Sequence, residues 1–166
     1  MVFFSFGVSS FPPTKVVDVK TICKLSKNTS FCLNFLNSKP GGAHGANLDT
    51  LGQYTFNQTL GKVTNTITLI KQLIAKGSPD PLKVFHYKYC MGSFIRVKSD
   101  IEYVQSMFKS KDYRNIRLVV EDSLNSSLNC LQVPPENDDP SMLPKYIKAI
   151  QLVEGVIRAI LVLLGI

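Results

Sequence analysis

Tryptophan is absent from the 166 residues, and histidine occurs only twice, at His44 and His86. So little imidazole leaves the common acid–base and metal chemistries few places to sit. Neither histidine has a persuasive Ser or Cys partner in the sequence, and Gly-x-Ser-x-Gly, His-Glu-x-x-His and phosphate-cradling glycine loops are all missing. Catalysis is therefore not expected, and neither is a cofactor. No Cys-x-x-Cys occurs, and the histidines are not at ligand spacing from any cysteine, so no metal is expected. Charge is sparse as well, at 19% of residues. Without a run of five like charges, an Arg-rich stripe or interleaved aromatic and basic residues, the lysines read as solvated helix faces and exclude an ordinary nucleic-acid binder. The segment from Ile147 to Ile166 is rich in Ile, Leu and Val, but Lys148, Glu154 and Arg158 interrupt it, so a membrane span is the weaker reading.

What remains is a chain of single-domain length, 45% apolar, able to bury a real core. Its formal charge of +7 is uneven. Residues 1–111 hold 14 basic and 5 acidic side chains, a balance of +9, and residues 112–166 hold 5 and 7, a balance of −2. An uneven basic surface favours acidic partners, whether nucleic acid, anionic membrane or a polyanionic polysaccharide. The four cysteines, Cys23, Cys32, Cys90 and Cys130, form an even set without metal or redox spacing, which points to an oxidising compartment. Val2 to Val8 is apolar but short and lacks a basic n-region, so residues 1–15 read as a tail or as the remnant of a poorly formed signal peptide.

Nearly every long apolar pattern has helical period. A Gly-rich loop between Pro40 and Asn47 separates an N-terminal arm, residues 16–40, from a body, residues 47–166. The body's first helix is expected from about Asn47 to Lys76 on the stripe Phe56, Leu60, Val63, Ile67, Ile70 and Ile74. Gly77-Ser78-Pro79 ends it, and Asp80 caps a second helix with Pro81 at its first position. That helix carries Tyr87, Cys90, Phe94, Val97, Ile101, Val104 and Phe108. The chain then turns near Ser110-Lys111-Asp112, with Asp112 as the expected cap of a third helix bearing Tyr113, Ile116, Val120, Ser123, Ser127 and Cys130. After a loop containing Pro134, Pro135 and Pro140, a last helix shows Leu143, Tyr146, Ile150, Val153, Ile157, Ile160 and Leu164. Four such helices with mostly short links describe an all-α, antiparallel up-down-up-down four-helix bundle. Gly52, Gly61, Gly92 and Gly155 inside helices are expected to mark close packing or bends.

Helix geometry selects a disulfide pairing. With a reversal at Lys111-Asp112, Cys90 lies 21 residues before the turn and Cys130 lies 18 after it. At helical rise both stand about 30 Å from the turn, within roughly one helical turn of the same level. A reversal at Lys27-Asn28 makes Cys23 and Cys32 equidistant from the bend. The expected bonds are Cys23–Cys32 and Cys90–Cys130, against the plainer alternative of four buried free thiols.

These residues also resemble a known family. A cysteine in a short helix precedes a second in Ser30-Phe31-Cys32-Leu33-Asn34-Phe35-Leu36. A third then opens Cys90-Met91-Gly92-Ser93-Phe94, followed by the turn Lys111-Asp112-Tyr113, a fourth at Cys130 and a final apolar helix ending Ile160-Leu161-Val162-Leu163-Leu164. From about Lys20 to Leu164 the order is similar to that of the plant invertase and pectin methylesterase inhibitors. The resemblance implies an N-terminal helical hairpin packed on a four-helix bundle, secretion to the cell wall, and bonds between first and second and between third and fourth cysteines. It also implies a free-standing, monomeric inhibitor of a protein enzyme, because no catalytic β-helix domain follows the bundle. In that family, invertase inhibitors typically insert a Pro-Lys-Phe tripeptide from the turn between the second and third bundle helices. The corresponding positions here are Tyr113-Arg114-Asn115. The esterase inhibitors instead lay bundle helices across the substrate cleft. The absent tripeptide favours a cell-wall pectin methylesterase as target, with acid invertase, cell-wall or vacuolar, as the alternative. The family's usual acidic residue before the third cysteine is Tyr89 here.

The turn residues Asp112, Tyr113, Arg114, Asn115 and Arg117 are the candidate partner-binding set. Tyr and Arg are favoured interface anchors, and Arg pairs bidentately with carboxylates. The plain reading is an exposed helix start with Tyr113 tucked into the core. His86 reads as an ordinary surface histidine. Of the glycan acceptor patterns at Asn28, Asn57 and Asn125, only Asn28 sits at an obvious bend, so it is the candidate glycosylation site. A more remote reading from another class is a carrier holding an apolar ligand in the bundle core, although the bulky continuous stripes leave no evident gap.

Overall fold

The computed structural model describes residues 10–132 and 139–166. Six helices follow in order: α1 (Val19–Cys23), α2 (Thr29–Asn37), α3 (Leu48–Lys76), α4 (Pro81–Lys109), α5 (Ile116–Gln132) and α6 (Leu143–Leu164). Among the described residues the only β pairing is an isolated bridge between Val16 and Asn47.

Local chemistry sets most of the boundaries. The Asn28 side chain accepts from Phe31 N at 2.9 Å and starts α2, and Asn47 accepts from Thr50 N at 2.8 Å and starts α3. Asp80 accepts from Leu82 N at 2.9 Å with Pro81 in the first turn of α4. Gly77, at φ 69°, ends α3 in a conformation that costs a side-chain-bearing residue more than glycine. The expected cap of α5 does not form. Asp112 spends its carboxylate on Arg114 and not on a helix N-terminus, Asn115 adopts φ 63°, and the helix begins only at Ile116.

In the bundle, α3 packs on α4 and α6, and α5 packs on the same two helices, while α1 and α2 lie against α6. The α4 stripe is buried throughout, from Tyr87 to Phe108. On α3 the stripe shifts. Leu60, Ile67 and Ile74 are half-buried, and the fully buried positions include Thr55, Thr59 and Thr66. These hydroxyls survive in the core because each donates back to a carbonyl one turn earlier, Thr55 to Leu51 O at 2.7 Å and Thr59 to Thr55 O at 2.9 Å. On α6, Tyr146 faces outward and Ile147 takes the buried place.

The core has two sections. One, toward the arm, is built on Phe56, Phe108, Ile116, Val120 and Ile157. The other surrounds Cys90 and Cys130 with Phe94, Val97, Ile101 and Ile147. The disulfides are Cys23–Cys32 and Cys90–Cys130, with Cα atoms 5.5 and 4.8 Å apart. This is the pairing the matched helix levels predict.

Of the helical glycines, Gly52 marks a close approach. A Cβ there would lie 2.5 Å from the Phe108 ring. Phe108 is held edge-on between Phe56 and Tyr113, at 5.2 and 5.6 Å between centroids, and has nowhere to go. Gly61 and Gly92 have nothing within 4 Å of that position, so packing does not explain them. Gly52→Ala is therefore expected to destabilise the protein by about 1–3 kcal/mol through overpacking, despite the better helix propensity of alanine. Gly61→Ala serves as the control and should be neutral or stabilising in urea unfolding.

Candidate protein-docking face

The α4–α5 turn does not bring its five candidate residues onto one surface. Arg114 stands at the tip with its side chain 85% exposed. It already grips Asp112, donating from Nε at 2.9 Å and Nη2 at 2.8 Å. That grip holds the Asp112 carboxyl down to about 2. Any partner carboxylate must therefore displace Asp112 to reach the Arg114 fork. Tyr113 turns inward, half-buried against Phe108, and burial raises its phenol above the ordinary range. Asn115 is exposed beside it. Arg117 points elsewhere, into a cleft between α5, α6 and the arm. Asn28 is exposed, with its carbonyl oxygen committed to capping α2.

A second apolar row on α4, not singled out in the sequence, lies outside the core. Leu82, Phe85, Tyr89 and Tyr103 are 62%, 59%, 40% and 54% exposed. Gly92 and Arg96 continue the same alternating steps of three and four, so one outward stripe runs the length of the helix. Helix α5 extends this face sideways. Arg96 meets Asp122 at 3.6 Å, which with the Cys90–Cys130 bond fixes the register of the two helices. Leu118, 68% exposed, then comes to the level of Tyr103 near Arg114. Large apolar and aromatic groups rimmed by charge, on rigid helices, have the composition of a protein interface and not of an idle surface. The signal was present: α4 holds more apolar residues than a single buried stripe can use.

At the opposite end of α4, His86 is 3% exposed, which overturns the reading of a surface histidine. Its ring nitrogens lie 3.8–4.0 Å from Cys90 Sγ and its Nε2 3.9 Å from Asp139, which also accepts from the Tyr87 hydroxyl at 3.0 Å. His86 sits one helical turn before Cys90 on the same face, which corrects the reading that neither histidine stands at ligand spacing from a cysteine. The donor atoms of His86, Cys90 and Cys130 all fall within 4.8 Å of one another. Both sulfurs are bonded to each other, however, so neither offers the thiolate a metal needs. Among the described residues no helix is long and apolar enough to cross a membrane.

The family model described as plant invertase/pectin methylesterase inhibitor matches residues 17–153. Pectinesterase inhibitor 1 of Arabidopsis thaliana is 28% identical over 114 residues, 69% of this chain and 62% of that protein. Pectinesterase inhibitor 2 of the same plant is 26% identical over 118 residues, 71% of this chain and 67% of that protein. The chain thus aligns with about two thirds of these relatives' length. A crystal structure of a mutant form of a pectin methylesterase inhibitor from Arabidopsis superposes with a TM-score of 0.76 at 25% identity, over 86% of this chain and 93% of that one.

Proposed function

From the premise that this chain belongs to the plant invertase/pectin methylesterase inhibitor family, we propose that it is a secreted, monomeric inhibitor of a cell-wall pectin methylesterase and has no catalytic activity of its own. The observation that carries this reading is the outward stripe of α4, with Leu118 of α5 beside it. It supplies aromatic anchors on a surface that loses little conformational entropy on docking. Two rigid helices laid along a cleft supply the roughly 1,600 Å² that a specific complex buries. Kinship with the two Arabidopsis pectinesterase inhibitors supports an esterase as the target, and kinship with the putative invertase inhibitors of Platanus keeps acid invertase as the alternative. Tyr113-Arg114-Asn115 at the turn, in place of the tripeptide associated with invertase inhibition, supports the same choice.

Titrating the purified protein into a plant pectin methylesterase and, in parallel, an acid invertase at mildly acidic pH tests the reading. We expect inhibition of the esterase to saturate at one equivalent. Phe85→Ala and Tyr103→Ala should each raise the inhibition constant at least tenfold, the effect of losing an interface anchor. Full esterase activity at inhibitor excess refutes the esterase reading, and loss of invertase activity instead assigns the alternative target. Inhibition that survives both alanine variants moves the contact away from α4.

A further inference from the structure

An open cavity of about 550 Å³ lies outside the bundle core, in the cleft between α5, α6 and the arm. Two contacts set the register of its walls. Glu121 accepts from Arg158 (Nε to Oε1, 2.7 Å), and Ser123 donates to Glu154 at 3.1 Å. Antiparallel helices in that register put Leu124 opposite Gly155 and Leu128 opposite Gln151. Leu124, Leu128 and Leu152 therefore form an aliphatic floor. Gly155, which carries no side chain, lets Ser26 of the arm come down over the middle as a roof.

The cleft also carries an excess of positive charge. Lys27, Arg117 and Lys148 line it, and none is ion-paired among the described residues. Arg158 lines it too, but Glu121, the single acidic side chain in the lining, neutralises it. One turn along α6 from Lys148, Gln151 presents a buried Nε2 that has no acceptor in the described structure. An amide donor without a partner and an unpaired ammonium, both lining one aliphatic trough, are complementary to an anionic head carrying a hydrocarbon tail.

We propose that this cleft binds a monomeric single-chain anionic amphiphile, a long-chain carboxylate. Its carboxylate sits between Lys148 Nζ and Gln151 Nε2, and its tail lies along Leu128, Leu124 and Leu152 toward the roof of the arm. From Lys148 to Val162 the trough follows α6 for about 20 Å. The inference does not depend on the enzyme target, because the cleft and the α4 stripe are separate surfaces.

Isothermal titration calorimetry with dodecanoate below its micellar concentration tests it, using the whole protein. We expect one site, at least tenfold weaker binding of dodecyltrimethylammonium (the same tail with the opposite charge), and no heat from acetate, which has the head without the tail. Lys148→Glu should weaken dodecanoate at least tenfold. Lys83→Glu, on α4 and away from the cleft, should leave it unchanged. Gly155→Trp should block the trough, with circular dichroism to check folding; if it does not fold, Leu128→Glu replaces it. Equal binding of the two detergents, or binding indifferent to Lys148→Glu, overturns the proposal. So does recruitment to phosphatidylglycerol vesicles, or binding of an acidic amphipathic peptide, without binding of free dodecanoate.

Discussion

Replacing Cys90 and Cys130 by serine is expected to lower stability by about 4 kcal/mol, the loop-closure value for a 40-residue separation. The bond joins α4 to α5 at the end far from their connecting turn, where it restricts the unfolded chain most. For a domain of this size the loss corresponds to a fall in Tm of about 8–16 °C. The nine-residue Cys23–Cys32 loop should contribute less, about 2.5 kcal/mol on the same argument. Scanning calorimetry of the two double-serine variants checks the order. A larger loss from the arm bond than from the bundle bond would show that native contacts, not chain entropy, dominate.

The second large effect is one of pH. Glu154 is fully buried on α6, with Ser123 donating to one carboxyl oxygen and nothing among the described residues bonded to the other. Burial raises its pKa to about 8, only partly opposed by the Ser123 hydrogen bond. The folded protein therefore keeps this proton across a range where the unfolded chain, ionising near 4.5, has released it. Stability from this group is complete below about pH 4.5, falls as pH rises, and is exhausted as pH passes 8. The span is on the order of 5 kcal/mol, or about 10–20 °C in Tm. We expect Tm to fall between pH 5 and pH 8, and Glu154→Gln to flatten that fall while keeping a partner for Ser123. A Glu154→Gln profile as steep as that of the parent protein would locate the dependence elsewhere. If the protein works in a mildly acidic wall, its stability and its setting agree.

Where the helices lie was legible because their stripes and terminal residues state the same thing twice. Asp80-Pro81 and Asn47 begin helices, Gly77 ends one, and each adjoins an apolar period. The stripe reading failed where polarity and burial part company. Thr55, Thr59 and Thr66 look like surface positions, yet their hydroxyls satisfy themselves on the preceding turn and vanish into the core. In the sequence Glu154 is a charge interrupting an apolar run, but in the fold it is the best-buried acid in the described chain. The burial of His86 is not legible in the sequence, which does not show that α4 is closed over by the segment bearing Asp139. The docking face was the least legible feature. Phe85 and Tyr103 are apolar like their buried neighbours, and only the packed bundle decides which of two interleaved rows faces inward.

The two covalent bridges have one property in common: each closes within its own part, Cys23–Cys32 inside the arm and Cys90–Cys130 inside the bundle. Nothing covalent but the chain itself joins the two parts. With only noncovalent contacts to give up, the buried side chains of Ile22 and Leu36 among them, the arm is expected to open as a unit on residues 40–46 at less than the free energy of melting the bundle. Amide exchange should then show Leu36 and Ile22 opening together, ahead of the bundle interior. Because Leu25 and Ser26 travel with the arm, that excursion would unroof the trough beneath and leave the outward row on α4 undisturbed.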